Sequence, residues 1–221
     1  MSVWDILIKY HQGFLTGLKV TMQLTAVVWI GGIVVGTILG LASARYRVHI
    51  GIPARVISFF LSGIPILVFL FWLHYPAQAM LGIVVDPFYT AALTFTVVNI
   101  FAVTDLVRHT VDDFPEQYLT AAKVCGVPSS KIVWRIQFPI MFRQVLPGLM
   151  ITQVIMLHTT LFASLISVEE IFRVAQRINS TIYRPVEIYT ALGIFFLLIS
   201  LPINGLALWF KYRFTRNLSE R

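Results

Sequence analysis

The stretch YLTAAKVCGVPSSKIVWRIQFP, Tyr118 to Pro139, decides how the rest of this chain is read, because it is the most polar long segment in a very apolar sequence. Glu116 to Cys125 favours helix, and Ala121, Ala122 and Cys125 form a patch of small side chains. Gly126 suits a left-handed helix stop. Pro128, at a first helical position, and Ser129 and Ser130 then restart a helix on which Ile132, Val133 and Ile136 share one side; Pro139 is expected to end it. Upstream, Asp112 and Asp113 before Pro115 and Glu116 read as an acid-first, proline-first helix start. The expectation is two short helices at an angle that expose small and apolar groups. Such a hairpin can rest on a membrane surface, or it can be a docking knob, since small residues permit close backbone approach.

The surroundings of this segment are built for lipid. The chain has 221 residues, 57% hydrophobic and 12% charged, and its apolar residues fall in long runs rather than in amphipathic stripes. A bilayer core about 30 Å thick takes about 20 apolar residues per helix. Five such runs are present, roughly 18–42, 56–75, 86–108, 144–168 and 187–210. The fold class expected is therefore an all-α integral membrane protein, with 1–221 as a single transmembrane domain and the polar loop at about 112–140. Asp5, Lys9 and His11 stand where the apolar core of a signal peptide would lie, so the N-terminus is not expected to be one. Cys125 is the one cysteine and has no internal disulfide partner.

Orientation follows from the basic residues. With the N-terminus outside, the inner segments hold Arg45, Arg47, Arg55, Arg108, Lys123, Lys131, Arg135, Arg143, Lys211, Arg213, Arg216 and Arg221, and the outer segments hold Lys9, Lys19, Arg173, Arg177 and Arg184. Twelve against five places the polar loop and the C-terminus in the cytoplasm. Topology and anionic lipid then account for the net charge of +7. Nucleic-acid binding would gather those charges on one face, whereas here they are split among short loops.

Several chemistries are excluded by what is missing. There is no G-x-x-x-x-G-K-[ST] loop, so the chain is not expected to bind ATP in the P-loop manner. His11, His49, His74, His109 and His158 are scattered without H-x-x-x-H spacing or a cysteine partner, so no metal is expected. No G-x-S-x-G turn supports a serine nucleophile. The absence of an internal repeat counts against an inverted-repeat carrier.

AAKVCGVPSSKIVWRIQFP resembles the cytoplasmic loop of ABC importer permeases, which reads E-A-A, three residues, Gly, nine residues, Ile, any residue, Leu-Pro. Ala121, Ala122, Gly126, Ile136 and Pro139 fall at the matching positions, Phe138 replaces Leu, and Thr120 stands where the family has Glu. The resemblance extends over nearly the whole chain to the histidine/glutamine-type polar amino acid permeases. LSGIPILVFLF is similar to R-G-T-P-L-L-V-Q, keeping Gly63, Pro65 and Leu67. SLISVEEIFRVAQRINSTIYRPVEIY is similar to the family's S-V-I-G-V-x-E-L segment and the residues after it.

The resemblance implies a type I importer permease in a bacterial inner membrane, without a cofactor or an ATPase site of its own. Its partners would be two ATPase subunits that bind ATP, a sister or identical permease, an extracytoplasmic solute-binding protein and membrane lipid. Thr120, Ala121, Ala122, Gly126, Ile136 and Pro139 would couple to the ATPase. A secondary carrier or channel subunit is the alternative. Ser62, Ile64, Phe69, His158, Thr159 and Thr160 take positions that border the family's substrate pathway. Ser62, Ile64 and Phe69 replace Arg, Thr and Gln there, and His158 and Thr159 replace a Lys–Asp pair. The lost charges are open to three readings: a weaker-binding half of a heterodimer, a different substrate, or specificity left to the binding protein. Glu170, Ile171 and Val174 fall in the outer segment; the i, i+3, i+7 spacing of Ile171, Val174 and Ile178 predicts an amphipathic helix, which the resemblance makes part of an outer gate.

Overall fold

The computed structural model describes residues 2–215, so Arg216 and Arg221 of the charge count lie outside the described residues. Among these the elements are helical throughout. The chain opens with α1 (Val3–Lys9), started by a reciprocal capping box between Ser2 and Asp5. The long helix α2 (His11–Arg45) follows and exceeds the predicted run at both ends. A π-helical turn, Arg47–Gly51, then leads into α3 (Ile52–Gly63).

The second predicted run is not one straight helix. It breaks between α3 and α4 (Ile66–His74), and the two arms that meet there are bent by 96°. The cause is local: Ile64 precedes Pro65, is pushed out of the helical region and is extended at φ −101, ψ 125. Helix α5 (Pro76–Leu81) ends at Gly82, whose φ is +64. Helix α6 (Pro87–Asp112) follows, then α7 (Glu116–Val124) and the single turn α8 (Ser129–Ile132). Asp112 is thus the last residue of α6 and Asp113 its C-cap, rather than the first acids of the next helix.

Pro139 does not end a helix either. A π-helical turn at Val133–Gln137 runs straight into α9 (Phe138–Thr159), and Pro139 sits in its first turn. The Phe138 N–H closes the π turn on the Val133 carbonyl and the helix runs on through Pro139, so 129–166 is one apolar rod. The rod closes with a 3₁₀ segment, Thr160–Ile166, before α10 (Ile171–Ile182) and α11 (Pro185–Thr215). Among the described residues four helices are long and apolar enough to cross a bilayer, and there are five if the bent pair at 47–81 is counted as one broken span.

The tightest pairing joins α2 to α6. Gly32, Gly36 and Gly40 repeat every four residues on α2, and Asn99, Val103 and Val107 face them from α6 with the same period. A Cβ on Gly36 would stand 2.7 Å from the Ile100 carbonyl oxygen, so the backbones meet with no room for a side chain. Val103 and Val107 of the seam pack with Val145 of α9, and two larger apolar cores accompany them. One gathers Leu24, Val28, Leu70, Phe95 and Ile166; the other gathers Ile6, Leu157, Ile171, Val174, Ile178 and Ile188, so α1 and α10 cap α9 and α11. The outward face of α2 shows Ile30, Val34 and Ile38. Lipid or a second membrane subunit can cover such a face without penalty.

Candidate functional site

The polar loop is set by its glycine. Gly126 has φ +70, and the Val127 N–H donates to the Ala122 carbonyl at 3.0 Å while the Gly126 N–H donates to the Lys123 carbonyl at 3.0 Å. Together these bonds are the 6→1 and 5→2 pair of a Schellman stop, which turns the chain sharply toward α8. The small residues then divide by role. Ala122 of α7 and Ile132 of α8 are buried, as is Phe114 before them, whose ring lies against Tyr118. Thr120, Ala121, Cys125 and Gly126 face out, as does Val124 at 82% exposure. Ile136 and Pro139 are half-buried and belong to the rod rather than to this tip. The loop is therefore a short exposed ridge joined through one π turn to a spanning helix. Val124 and Trp134 add exposed apolar surface that the residue spacing did not single out, and Val133, which it did, is exposed while its neighbour Ile132 is buried.

At the foot of this loop the end of α6 holds an ionic cluster. Arg108 is buried and donates to Asp105 at 2.7 Å, with Asp112 at 3.8 Å. Arg47 reaches the same Asp112 at 3.2 Å and Arg55 at 3.8 Å, while Ser58 donates to Asp105. The Asp105–Arg108 pairing one helical turn apart is legible in the sequence; the arginines arriving from the α2–α3 junction are not.

The pathway candidates do not form one cluster. Ser62 is exposed at the end of α3 and bonds the Phe59 carbonyl. Ile64 lies at the break, and Phe69 is half-buried on α4. Thr159 and Thr160 are buried, but their hydroxyls donate to the Ile155 and Leu157 carbonyls of their own helix at 2.8 and 2.7 Å. His158 Nε2 shares a hydrogen bond of 2.7 Å with Ser200 Oγ of α11, with its ring edge-on to Phe196. No side-chain hydrogen bond joins any two of the six.

The segment 169–182 is docked. Glu170 caps α10, its carboxylate accepting from the Phe172 N–H at 2.8 Å and the Arg173 N–H at 2.7 Å. Burial pushes its pKa up to about 7 against the pull of those two donors. The Ile171 N–H donates to Thr21 Oγ1 of α2 at 3.1 Å, and a Cβ on Gly17 would stand 2.9 Å from Ile171 Cα. Val174 packs beside them, so Glu170, Ile171 and Val174 mark a helix crossing at α2, and the predicted amphipathic helix is present with its apolar side inward.

Sequence reasoning missed a polar knot in the spanning region. Asn99 Nδ2 donates to the Val28 carbonyl and to Gln153 Oε1, both at 2.9 Å, and Trp29 Nε1 donates to the Gln153 carbonyl at 2.9 Å. The available signal was Asn99, the one amide of the run 86–108, and Gln153 in the interior of the run 144–168.

Comparison with known proteins places this geometry in context. Residues 32–216 match the family described as binding-protein-dependent transport system inner membrane component. The octopine transport system permease protein OccM of Rhizobium radiobacter is 29% identical over 220 residues, covering 91% of this chain and 88% of that protein. The L-cystine transport system permease protein TcyB of Bacillus subtilis is 31% identical over 183 residues, covering 80% of this chain and 76% of that protein. A solved amino acid ABC transporter crystallised with histidines superposes with a TM-score of 0.82 at 22% identity, covering 94% of this chain and 96% of that one.

Proposed function

Because this chain belongs to the binding-protein-dependent transport system inner membrane component family, we propose that it is the permease subunit of an ATP-driven importer whose cargo is an amino acid or amino-acid-like solute. The relatives named for octopine and L-cystine support that cargo class. Two copies of a separate ATPase bind and hydrolyse ATP, a sister or identical permease completes the membrane unit, and a solute-binding protein delivers the cargo from outside. The N-terminus lies outside and the polar loop in the cytoplasm, as the basic residues favour.

The observation that carries this reading is the ridge of Thr120, Ala121 and Val124, held by the Gly126 stop and continuous through Val133–Gln137 with the rod. An ATPase that grips the ridge moves a spanning helix with it. Alternating access then requires that ATP and cargo bind the inward- and outward-open states with different affinities. The test is to purify the tagged chain from its native membrane, identify what comes with it, and reconstitute the complex in proteoliposomes with its binding protein. Uptake of amino acids that needs both ATP and the binding protein is expected. Uptake driven by an ion gradient without ATP would replace this reading with that of a secondary carrier.

A further inference from the structure

The tight α2–α3 junction builds a pocket that the transport reading does not use. A Cβ on Gly51 would stand 2.8 Å from the Ser43 carbonyl oxygen, so the π-helical turn folds back closely on the end of α2. That fold-back brings Arg47 and Arg55 to the same side, facing Asp112 at the end of α6. Arg47, Val48, Ile52, Arg55 and Asp112 line an open pocket of about 430 Å³.

The charge in this pocket is unbalanced. Asp112 is shared by Arg47, Arg55 and Arg108, and Asp105 pairs with Arg108 and accepts from Ser58, so three guanidiniums meet two carboxylates. The Arg55 guanidinium makes no hydrogen bond among the described residues, and its 3.8 Å approach to Asp112 is an ion pair only. Each guanidinium carries five donors in a fork that matches a phosphate, and one carboxylate cannot occupy those of three arginines. The rim is apolar and open: Val48 is 66% exposed, Ile52 52% and Val56 49%, next to the ends of helices long enough to reach a bilayer surface. A soluble anion would meet no use for that rim, whereas a lipid places its phosphate in the arginine fork and its acyl chains along Ile52 and Val56.

We infer that Arg47 and Arg55 form a binding site for the phosphodiester headgroup of an anionic phospholipid, with Asp112 as an internal competitor for the same guanidiniums. The inference needs only that the ends of α2 and α3 reach the bilayer surface, so it stands or falls separately from the cargo and from the ATPase.

The test uses the purified transporter complex in nanodiscs of phosphatidylcholine with a minor share of phosphatidylglycerol, with retained phosphatidylglycerol counted by native mass spectrometry. The double variant Arg47→Gln/Arg55→Gln should lose about thirtyfold in retention, as expected for removing two basic groups near an anionic surface. The variant Asp112→Asn should gain, because it frees both arginines while leaving them in place. Arg213→Gln, a basic residue of α11 outside the pocket, should match the unaltered complex. Inorganic phosphate at millimolar concentration should not displace the lipid. Equal retention in all variants, a loss in Asp112→Asn, or displacement of the lipid by free phosphate would each overturn the lipid site. If the double variant does not assemble, the gain in Asp112→Asn decides alone.

Discussion

Asn99 and Gln153 grip each other through both ends of their amides: Asn99 Nδ2 donates to Gln153 Oε1 at 2.9 Å, and Gln153 Nε2 donates back to Asn99 Oδ1 at 3.3 Å. Because Asn99 also donates to the Val28 carbonyl, the pair ties α2, α6 and α9 at one buried level. In lipid such bonds are modest singly, but an amide left without its partner is costly. Asn99→Leu should destabilise the protein by about 1–3 kcal/mol, read as a lower midpoint for unfolding in mixed micelles. Because each single change orphans the other amide, Asn99→Leu/Gln153→Leu should cost less than the sum of the two. Strict additivity would mean that the pair is not coupled.

The glycine seam gives a sharper contrast. Gly36→Ala puts a methyl 2.7 Å from a carbonyl oxygen, where only a helix shift can relieve the clash. A cost of about 1–3 kcal/mol is expected from such overpacking. Gly193→Ala is the control, since nothing stands within 4 Å of its added methyl, and it should be neutral or slightly stabilising through helix propensity. Thermal melting of both variants in detergent checks this; similar losses would mean that the two helices do not approach as closely as described.

Gly126 tests the ridge through dihedral strain alone. Nothing lies within 4 Å of a Cβ built there, so space is free and only φ +70 resists a side chain. The left-handed region costs an ordinary residue about 1–2 kcal/mol, and a β-branched one more. Gly126→Val should leave the protein inserted in the membrane but weaken its recovery with the ATPase and cut transport. Gly126→Asn should retain most of both, because asparagine tolerates this region. Full transport by Gly126→Val would remove the ridge from the coupling step.

The difference between what can and cannot be read lies in locality. The Gly126 stop, the spanning runs and the α10 face are set by residues within a few positions of one another, so composition and period reveal them. Pro139 misleads because a proline ending one helix and a proline opening the next look alike until the π turn before it is seen. The glycines of α2 need α6 to explain them, and Arg47 and Arg55 need Asp112, more than fifty residues away. For the pathway the sequence supplies positions but no geometry. Thr159 and Thr160 spend their hydroxyls on their own helix.

Glu170 should make the α10 segment sensitive to pH. Burial raises its pKa from 4.5 to about 7, so between those values the folded chain keeps a proton that the unfolded chain has released. Stability from this group is then complete below about pH 4.5 and declines as pH rises through 7. Glu170→Gln removes the titration while keeping one acceptor for the α10 cap. The melting temperature of the unaltered protein should fall by about 5–10 °C more than that of the variant between pH 5 and pH 7.5. Parallel curves would show that Glu170 is ionised throughout.

His158 separates packing from substrate contact. Its Nε2 is engaged by Ser200 Oγ at 2.7 Å and its ring by Phe196, both on α11, so the ring already has partners within the protein. If it serves to fasten α9 to α11, removing either end of the bond has the same consequence. His158→Ala and Ser200→Ala should then lower the unfolding midpoint by similar amounts, and the double variant should be no worse than the more affected single. Uptake at saturating binding protein should change by less than about threefold, the scale of a weak interhelical bond. A substrate carboxylate held by His158 predicts something else. Losing a hydrogen bond to a charged group is worth about 1.5–3 kcal/mol, or roughly tenfold to over a hundredfold in affinity, and Ser200→Ala would not reproduce it. Uptake measured in vesicles for the three variants, alongside their melting curves, distinguishes the two. A tenfold loss confined to His158→Ala would make the histidine a cargo ligand; we expect matched, small effects and a histidine that holds two helices together.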